Sequence, residues 1–151
     1  MNQQKAIIIS ILSGLILGCI GVHLMGFVAA VAIPEEYFLW FKENLFVEMG
    51  MVLLGIVGQF FGFGILALIT GYILGKVTRS NWLKNSAICY LAVLFYFSVG
   101  SAMVHGGPIS NPFSGVSLLS FIPMFVLPVC LISSTYLAST RYNNKLINKD
   151  T

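Results

Sequence analysis

Long apolar runs alternate with short polar stretches along this chain. The longest run, Met49 to Gly75, contains 27 residues, seven glycines and no charged side chain. At a rise of about 1.5 Å per residue, a helix of this length reaches roughly 40 Å, which exceeds the roughly 30 Å hydrocarbon core of a bilayer. The pattern therefore predicts a membrane-spanning helix.

Three further apolar runs are long enough to span a membrane. The four predicted spans cover residues 6–33, 49–75, 86–104 and 116–140. The short loops and tails that remain contain too few residues for a second hydrophobic core. The sequence therefore predicts an all-α fold: a polytopic membrane protein with a four-transmembrane-helix bundle, forming one domain over residues 1–151.

The composition agrees with this class of protein. Hydrophobic residues make up 58% of the chain and charged residues 9%, whereas soluble domains contain about 25% charged residues. The three cysteines, Cys19, Cys89 and Cys130, all lie inside predicted spans. There they act as small apolar groups, and their spacing indicates neither a disulfide framework nor a zinc site.

Small residues recur at every third or fourth position of the first two spans. Such stripes allow two helices to approach closely in a membrane. The positions are Gly14, Gly18 and Gly21 in the first span, and Gly55, Gly58, Gly62 and the neighbouring Gln59 in the second. The stripes predict either a tight hairpin of these two spans or an interface between subunits, and we expect Gln59 to form a hydrogen bond across one of these contacts.

An amphipathic segment follows Pro34, which ends the first span. The segment has an apolar side and a neighbouring tryptophan, opposite its acidic residues. The residues on this side are Tyr37, Phe38, Phe41 and Leu45, and the neighbouring tryptophan is Trp40. They predict a short interfacial helix between spans one and two, with an outward extension of span two as the alternative.

Positive charge is distributed unevenly about the predicted spans. Seven of the eight lysines and arginines lie in the amino end, the second loop and the carboxyl tail. These residues are Lys5, Lys76, Arg79, Lys84, Arg141, Lys145 and Lys149. Because cytoplasmic segments carry this excess, both termini and the second loop are predicted to be cytoplasmic. The short chain without any Asn-x-Ser/Thr site favours a bacterial inner membrane.

The basic residues also suggest what the cytoplasmic face contacts. Besides setting topology, Lys76, Arg79, Lys84, Arg141, Lys145 and Lys149 could contact anionic lipid or a cytoplasmic protein partner. Direct nucleic-acid binding is not predicted, because no aromatic side chains are interleaved with these charges.

Three ionisable residues fall near the outer ends of the first three spans. They are His23, Glu48 and His105. At one depth in a small bundle, two imidazoles and a carboxylate could form a proton-titrating cluster or a weak metal site. Alternatively, Glu48 interacts with the positive end of its helix dipole and the histidines anchor the helices at the interface.

Enzyme motifs are missing from the sequence. The sole aspartate is Asp150, in the tail, so no aspartate pair or Ser-His-Asp triad can form. No glycine-rich phosphate loop lies outside the predicted spans. The sequence therefore predicts a non-enzymatic protein without a cofactor.

Three functions remain open at this point. The first is a membrane subunit that self-associates as a homo-oligomer, anchors a cytoplasmic protein or relays an event at the outer face. The second is an immunity protein that blocks a membrane-inserting toxin. The third is a small ion or proton channel or transporter that uses the level of His23, Glu48 and His105; the absence of any predicted interruption in mid-membrane argues against it.

In span number, size and orientation the whole chain resembles two groups of small bacterial four-span proteins. One comprises immunity proteins to pore-forming toxins, and the other is the membrane subunit of Kiwa-type anti-phage defence. The resemblance is one of architecture and transfers no residue. It implies a role in bacterial defence, with a soluble cytoplasmic partner in the Kiwa-type case.

Overall fold

The computed structural model describes residues 3–31, 39–40, 43, 47–78, 81–105 and 118–147, all of them helical. The elements are α1 (Gln3–Val31), α2 (Val47–Gln59), a π-helical turn (Phe60–Gly64), α3 (Ile65–Thr78), α4 (Trp82–His105), a 3₁₀ segment (Leu118–Phe125) and α5 (Val126–Ile147). The predicted all-α fold is confirmed for this part of the chain.

Four helical stretches are long and apolar enough to cross a membrane. They are Gln3–Val28, Val52–Thr78, Trp82–Gly100 and Ile122–Tyr142. Large apolar side chains on the outside of the bundle, such as Ile16, Leu91 and Phe95, are about 60% exposed. Such faces suit lipid, because lipid tails are as apolar as the side chains themselves. The prediction of a four-span membrane protein is confirmed.

The closest helix pairs join spans that are not consecutive in the chain. Helix α1 packs mainly along α4, and α3 packs mainly along α5. Around the bundle the spans follow the order one, three, four, two. Because alternate spans cross the membrane in the same direction, both close pairs are parallel.

The contact between α3 and α5 is the tightest in the bundle. A Cβ atom added to Gly71 would overlap Ser134 Oγ and lie 2.5 Å from the Leu131 carbonyl oxygen. One added to Gly75 would overlap the Thr135 carbonyl oxygen and lie 2.9 Å from Ala138 Cβ. Only glycine lets the two backbones approach this closely. The Ser134 hydroxyl adds a long hydrogen bond of 3.4 Å to the carbonyl oxygen of Ala67 on α3.

The glycines of α1 serve a similar purpose against α4. A Cβ atom at Gly14 would overlap the Cys89 carbonyl oxygen and lie 2.7 Å from Ala92 Cβ. One turn later, a Cβ atom at Gly18 would lie 3.0 Å from the Tyr96 ring. Two of the three predicted glycines of the first span therefore face the third span, whereas the hairpin hypothesis placed the second span there.

Spans one and two meet farther along, around the π-helical turn. Gly21 faces the Phe63 ring, and a Cβ atom at Gly62 would lie 2.5 Å from Met25 Sδ. Gly55 instead faces Pro123 of the 3₁₀ segment, where a Cβ atom would lie 2.7 Å from the proline Cγ. The two glycine stripes thus contact each other only near Gly21 and Gly62 among the described residues.

Gly58 and Gln59 are the remaining members of the second stripe. A Cβ atom at Gly58 would meet nothing within 4 Å. Gln59 is half-buried and precedes the π-helical turn, and its side chain makes no cap hydrogen bond. Gly58 therefore does not take part in a close helix contact within the described chain, and a subunit interface at these two positions remains a prediction.

Large side chains fill the space between the helix pairs. The buried core consists of Leu17, Phe63, Ala67, Leu74, Cys89, Val93, Leu127 and Leu131. The Phe63 ring also meets Phe97 edge to face, with 5.3 Å between the ring centroids. This arrangement is favourable for aromatic pairs and links span two to span three.

Span two remains helical throughout, but its hydrogen-bond pattern changes near the middle, a feature that the sequence did not predict. At the π-helical turn, the Ile65 N–H donates to the Phe60 carbonyl oxygen, five residues back instead of four. Span four changes from 3₁₀ to α-helix at Val126, the first residue of α5. Val126 lies beside Gly64, so this change occurs at the same level as the π-helical turn. A π turn inserts one extra residue into the helix while its backbone hydrogen bonds are kept. The apolar sequence of span two did not predict this turn.

The connection between spans two and three is shorter than the sequence suggested. Helix α3 continues to Thr78, and α4 begins at Trp82. Lys76 and Lys84 therefore belong to helix ends rather than to a ten-residue loop. In span four, Pro123 lies in the 3₁₀ segment and Pro128 in the first turn of α5, where the lost N–H donor costs least.

Substitution of Gly71 tests the contact between α3 and α5. We expect Gly71→Ala to destabilise the protein by about 1–3 kcal/mol, because the new methyl group overlaps α5. Gly58→Ala is the matched control and should leave stability unchanged or slightly higher, since that methyl group enters open space. Thermal unfolding in detergent micelles measures both. Equal effects of the two substitutions would contradict the packing described here.

Single-residue deletions test the π-helical turn. Deleting Phe61 should convert the turn into regular α-helix and preserve the packing on either side, because the turn contains one extra residue. Deleting Ile69, which is equally exposed at 54%, should rotate the rest of α3 by about 100° and turn Gly71 and Gly75 away from α5. Size-exclusion profile and melting temperature report the outcome. A Phe61 deletion as damaging as the Ile69 deletion would contradict this view.

Candidate functional site

One end of the bundle carries exposed positive charge, and we call it the basic end. It is formed by the start of α1, the end of α3, the start of α4 and the end of the span in α5. The exposed side chains there include Lys5, Lys76, Lys84 and Arg141. Within the described part of the chain, no aspartate or glutamate lies at this end beside these charges.

A cleft of about 910 Å³ opens between the helices at the basic end. We call it the basic cleft. Its lining is formed by Gln3, Ala6, Ile7, Lys76, Val77, Thr78, Asn81, Lys84, Asn85 and Tyr142. Seven of these ten side chains are polar, two are cationic and none is acidic. The cleft is therefore electropositive and rich in hydrogen-bond donors.

The short connection between α3 and α4 brings the ends of these two helices together at the cleft. The Thr78 hydroxyl donates to the Leu74 carbonyl oxygen over 2.8 Å, so this buried hydroxyl is satisfied within the last turn of α3. Only three residues separate the two helices, so Lys76 and Lys84 come to the same cleft from opposite helix ends. The amino end of α4 also carries free N–H groups and the positive end of the helix dipole.

Asn85 is the most buried polar side chain of the lining. It is 2% exposed, although it lies only one turn from the start of α4. Next to it, the buried Ser86 hydroxyl donates to the Trp82 and Leu83 carbonyl oxygens, both at 3.0 Å. Ser86 is thus satisfied within its own helix, whereas the amide of Asn85 contributes to the wall of the cleft.

The basic cleft ends inside the bundle. Below Ala6, the buried Ser10 hydroxyl donates to the Ala6 carbonyl oxygen over 2.8 Å. Farther in, the apolar core begins with Leu17, Leu74 and Cys89, each at most 2% exposed. Close-packed side chains therefore separate the cleft from the opposite half of the described bundle.

An aromatic pair lies close to the level of the cleft. The rings of Trp82 and Tyr136 have centroids 5.1 Å apart and are tilted by 58°. Trp82 is the first residue of α4, and Tyr136 is 49% exposed on α5. Tryptophan and tyrosine are enriched where the hydrocarbon of a bilayer meets the headgroups. The pair therefore places the basic cleft near that boundary.

The chemistry available in the cleft favours anion binding. Ammonium groups, side-chain amides and helix N–H groups all donate to an anion such as a phosphate or carboxylate. The described lining holds neither a carboxylate nor an imidazole that could act as a general base at neutral pH.

The six predicted cytoplasmic contact residues are divided among several places. Lys76 and Lys84 line the cleft, and Arg141 is exposed next to Tyr142, another lining residue. The backbone of Lys145 continues α5, and its side chain lies outside the described part, as do Arg79 and Lys149 entirely. The structure thus brings two of the six predicted residues to one site.

The predicted titrating cluster is only partly described. His23 is exposed on α1. Glu48 and His105 lie in α2 and α4, but their side chains are outside the described part of the chain. Among the described residues, no three His, Cys, Asp or Glu side chains come together as a metal site. The cluster remains a prediction.

The predicted interfacial helix also remains a prediction. Trp40 is helical and 53% exposed. Phe38, Phe41 and Leu45 lie outside the described residues.

The sequence analysis missed several residues that shape the site. Asn81, Asn85 and Tyr142 were not singled out, although a polar amide in the first turns of a span is a recognisable signal. Gly71 and Gly75, which fix α3 against α5, form a GxxxG pattern that the analysis passed over. Both signals can be read from the printed sequence.

Comparison with known proteins adds no identity. No family model, no curated protein and no solved structure matches the chain.

Proposed function

We propose that this chain is a non-enzymatic integral membrane subunit that holds a cytoplasmic protein at the bacterial inner membrane. The observation that carries this proposal is the uncompensated charge of the basic end. Lys5, Lys76, Lys84 and Arg141 are exposed there without a described acidic neighbour. An acidic surface on a soluble protein would be steered to such an end and retained by it.

The docking position proposed for this partner is the end of α5. The apolar span ends at Tyr142, whereas the helix continues to Ile147. This extension adds five residues, or about 7 Å, beyond the span. It carries Lys145 just after the exposed Arg141. A short rigid helix with two basic residues suits recognition of an acidic groove.

The orientation is part of the proposal. Four of the five acidic residues lie between positions 35 and 48, on the side opposite the basic end. Because positive charge is retained in the cytoplasm, the basic end and both termini face inward.

A cysteine-labelling experiment tests this orientation. A cysteine placed at Thr151 should resist a membrane-impermeant thiol reagent in intact cells and react after permeabilisation. A cysteine at Asn44, in the acidic connection between the first two spans, should react in intact cells. The background is a chain with Cys19, Cys89 and Cys130 replaced by serine or alanine. Labelling at Thr151 in intact cells would overturn the proposed topology.

Capture from native membranes tests the anchoring role. The wild-type chain should retain a soluble protein after cross-linking and extraction in mild detergent. Arg141→Glu with Lys145→Glu should lower this retention at least about fivefold, because two attractive charges become repulsive. Lys5→Glu is the control on α1 at the same end, and it should lower retention clearly less than the α5 variant does.

The same experiment can exclude the proposal. A wild-type chain that migrates as a lone monomer and retains no companion counts against anchoring. Equal losses in the control and the α5 variant would point to general surface charge rather than a docking helix.

Self-association is a further part of the proposal. Gly58 has open space around it, and the adjacent Gln59 is half-buried with an amide able to bond to a second copy. Gly58→Leu should leave the monomer folded and reduce cross-linked dimers in membranes. Unchanged dimer yield would remove this position from any subunit interface.

A place in bacterial defence rests on the architectural resemblance alone. The resemblance to the Kiwa-type membrane subunit supports a soluble cytoplasmic partner. The packed core supports anchoring over conduction through a single chain, because Leu17, Leu74 and Leu131 close the bundle beyond the cleft.

A further inference from the structure

We propose that the basic cleft is a binding site for an anionic phospholipid of the inner leaflet, which it holds by the headgroup phosphate. This site is separate from the docking position proposed at the end of α5. It is lined by the start of α1, the end of α3 and the start of α4, and Tyr142 is the lining residue from α5. The inference therefore does not depend on the identity or existence of a protein partner.

The depth of the cleft matches that of lipid phosphates. The spans begin at Gln3 and Trp82 and end at Thr78 and Tyr142, and the lining residues cluster around these four positions. The cleft thus lies where hydrocarbon meets headgroups, at the same level as the aromatic pair of Trp82 and Tyr136. A lipid phosphate reaches this level without leaving the bilayer, whereas an acidic peptide would have to be inserted into it.

The charge and the donors of the lining suit a phosphate ester. Lys76 and Lys84 supply two ammonium groups, and the lining carries no carboxylate that would repel the ligand. Asn81 and Asn85 add amide donors beside the free N–H groups at the start of α4. Basic pockets between transmembrane helices on the cytoplasmic side are a known mode of binding anionic lipid.

The apolar part of the lining favours a lipid over a free ion. Ala6, Ile7 and Val77 line the same cleft as the lysines. Ile7 and Val77 are half-buried, and Ile8, which follows Ile7, is 55% exposed. A ligand with a phosphate and an attached glycerol ester would contact both kinds of surface. Inorganic phosphate would use only the polar one.

The size of the cleft supports the same conclusion. Its volume of about 910 Å³ falls within the roughly 300–1,000 Å³ of sites for small organic ligands. A single phosphate ion would leave most of this space to water. A glycerophosphate headgroup with the first carbons of its chains fills much more of it.

Lipid retention by the full-length protein tests the proposal. The chain is purified in a mild uncharged detergent, titrated with phosphatidylglycerol or with phosphatidylcholine, and bound lipid is counted by native mass spectrometry. We expect at least one phosphatidylglycerol to be retained in preference to phosphatidylcholine. Lys76→Gln and Lys84→Gln should each weaken retention about fivefold, and the double variant roughly 25-fold.

Two matched controls separate the cleft from general surface charge. Lys5→Gln and Arg141→Gln remove one exposed charge each from the same end but do not alter the lining. Both should retain phosphatidylglycerol within about twofold of the wild type. Because Lys76 and Lys84 are exposed, their substitution should leave the melting temperature in pure detergent unchanged, and this is measured in parallel.

Competition identifies the source of the bound phosphate and completes the test. Inorganic phosphate at 10 mM and an acidic peptide of ten glutamates are added to the lipid-loaded protein. Persistence of the lipid supports the proposal. Displacement by inorganic phosphate would make the cleft a soluble-anion site, and displacement by the peptide would make it a protein-docking site; either result overturns it. Equal retention of both lipids, or equal losses in the Lys5 and Lys76 variants, would overturn it as well.

Discussion

The backbone contact between α3 and α5 is the constraint on which the rest of the bundle depends. In a membrane, burying an apolar side chain against another helix gains little over burying it in lipid, so helices associate through close packing and hydrogen bonds. Gly71 and Gly75 supply that packing, because they let α3 approach the carbonyl oxygens of Leu131 and Thr135. Because this contact sets the register of the two helices, it also sets where α3 ends at the basic end. The start of α4, which follows only three residues later, is positioned with it.

The buried polar side chains of the bundle are also hydrogen-bonded. The buried hydroxyls of Ser10, Thr78 and Thr135 donate to carbonyl oxygens four residues earlier, over 2.8, 2.8 and 2.6 Å. Among the described residues, no fully buried side-chain nitrogen or oxygen lacks a partner. Hydroxyls can be satisfied in this way inside one helix, so they fill the inner half of the bundle without requiring a ligand. The basic cleft, in contrast, is lined by two lysines and three side-chain amides.

The two halves of the bundle differ in regularity. Toward the basic end, α3, α4 and α5 are continuous helices with glycine-mediated contacts. Toward the opposite end, span two passes through the π-helical turn and span four through a 3₁₀ segment, with Pro123 packed against Gly55. The basic cleft lies in the regular half of the bundle, where close packing holds the helix ends in place.

The sequence by itself determined the four apolar spans and the clustering of basic residues in the short segments that flank them. These are properties of local composition, because the bilayer places apolar stretches in its hydrocarbon core and charged residues outside it. It did not determine that α1 pairs with α4 and α3 with α5, that Gly14 faces Cys89 while Gly58 faces open space, or that Asn85 joins Lys76 and Lys84 in one cleft. Several stripes of small residues have equivalent spacing, and a one-residue π turn leaves no mark on hydropathy. Only the tertiary structure decides these points, because they depend on the rotation of each helix about its axis and on the neighbours it meets.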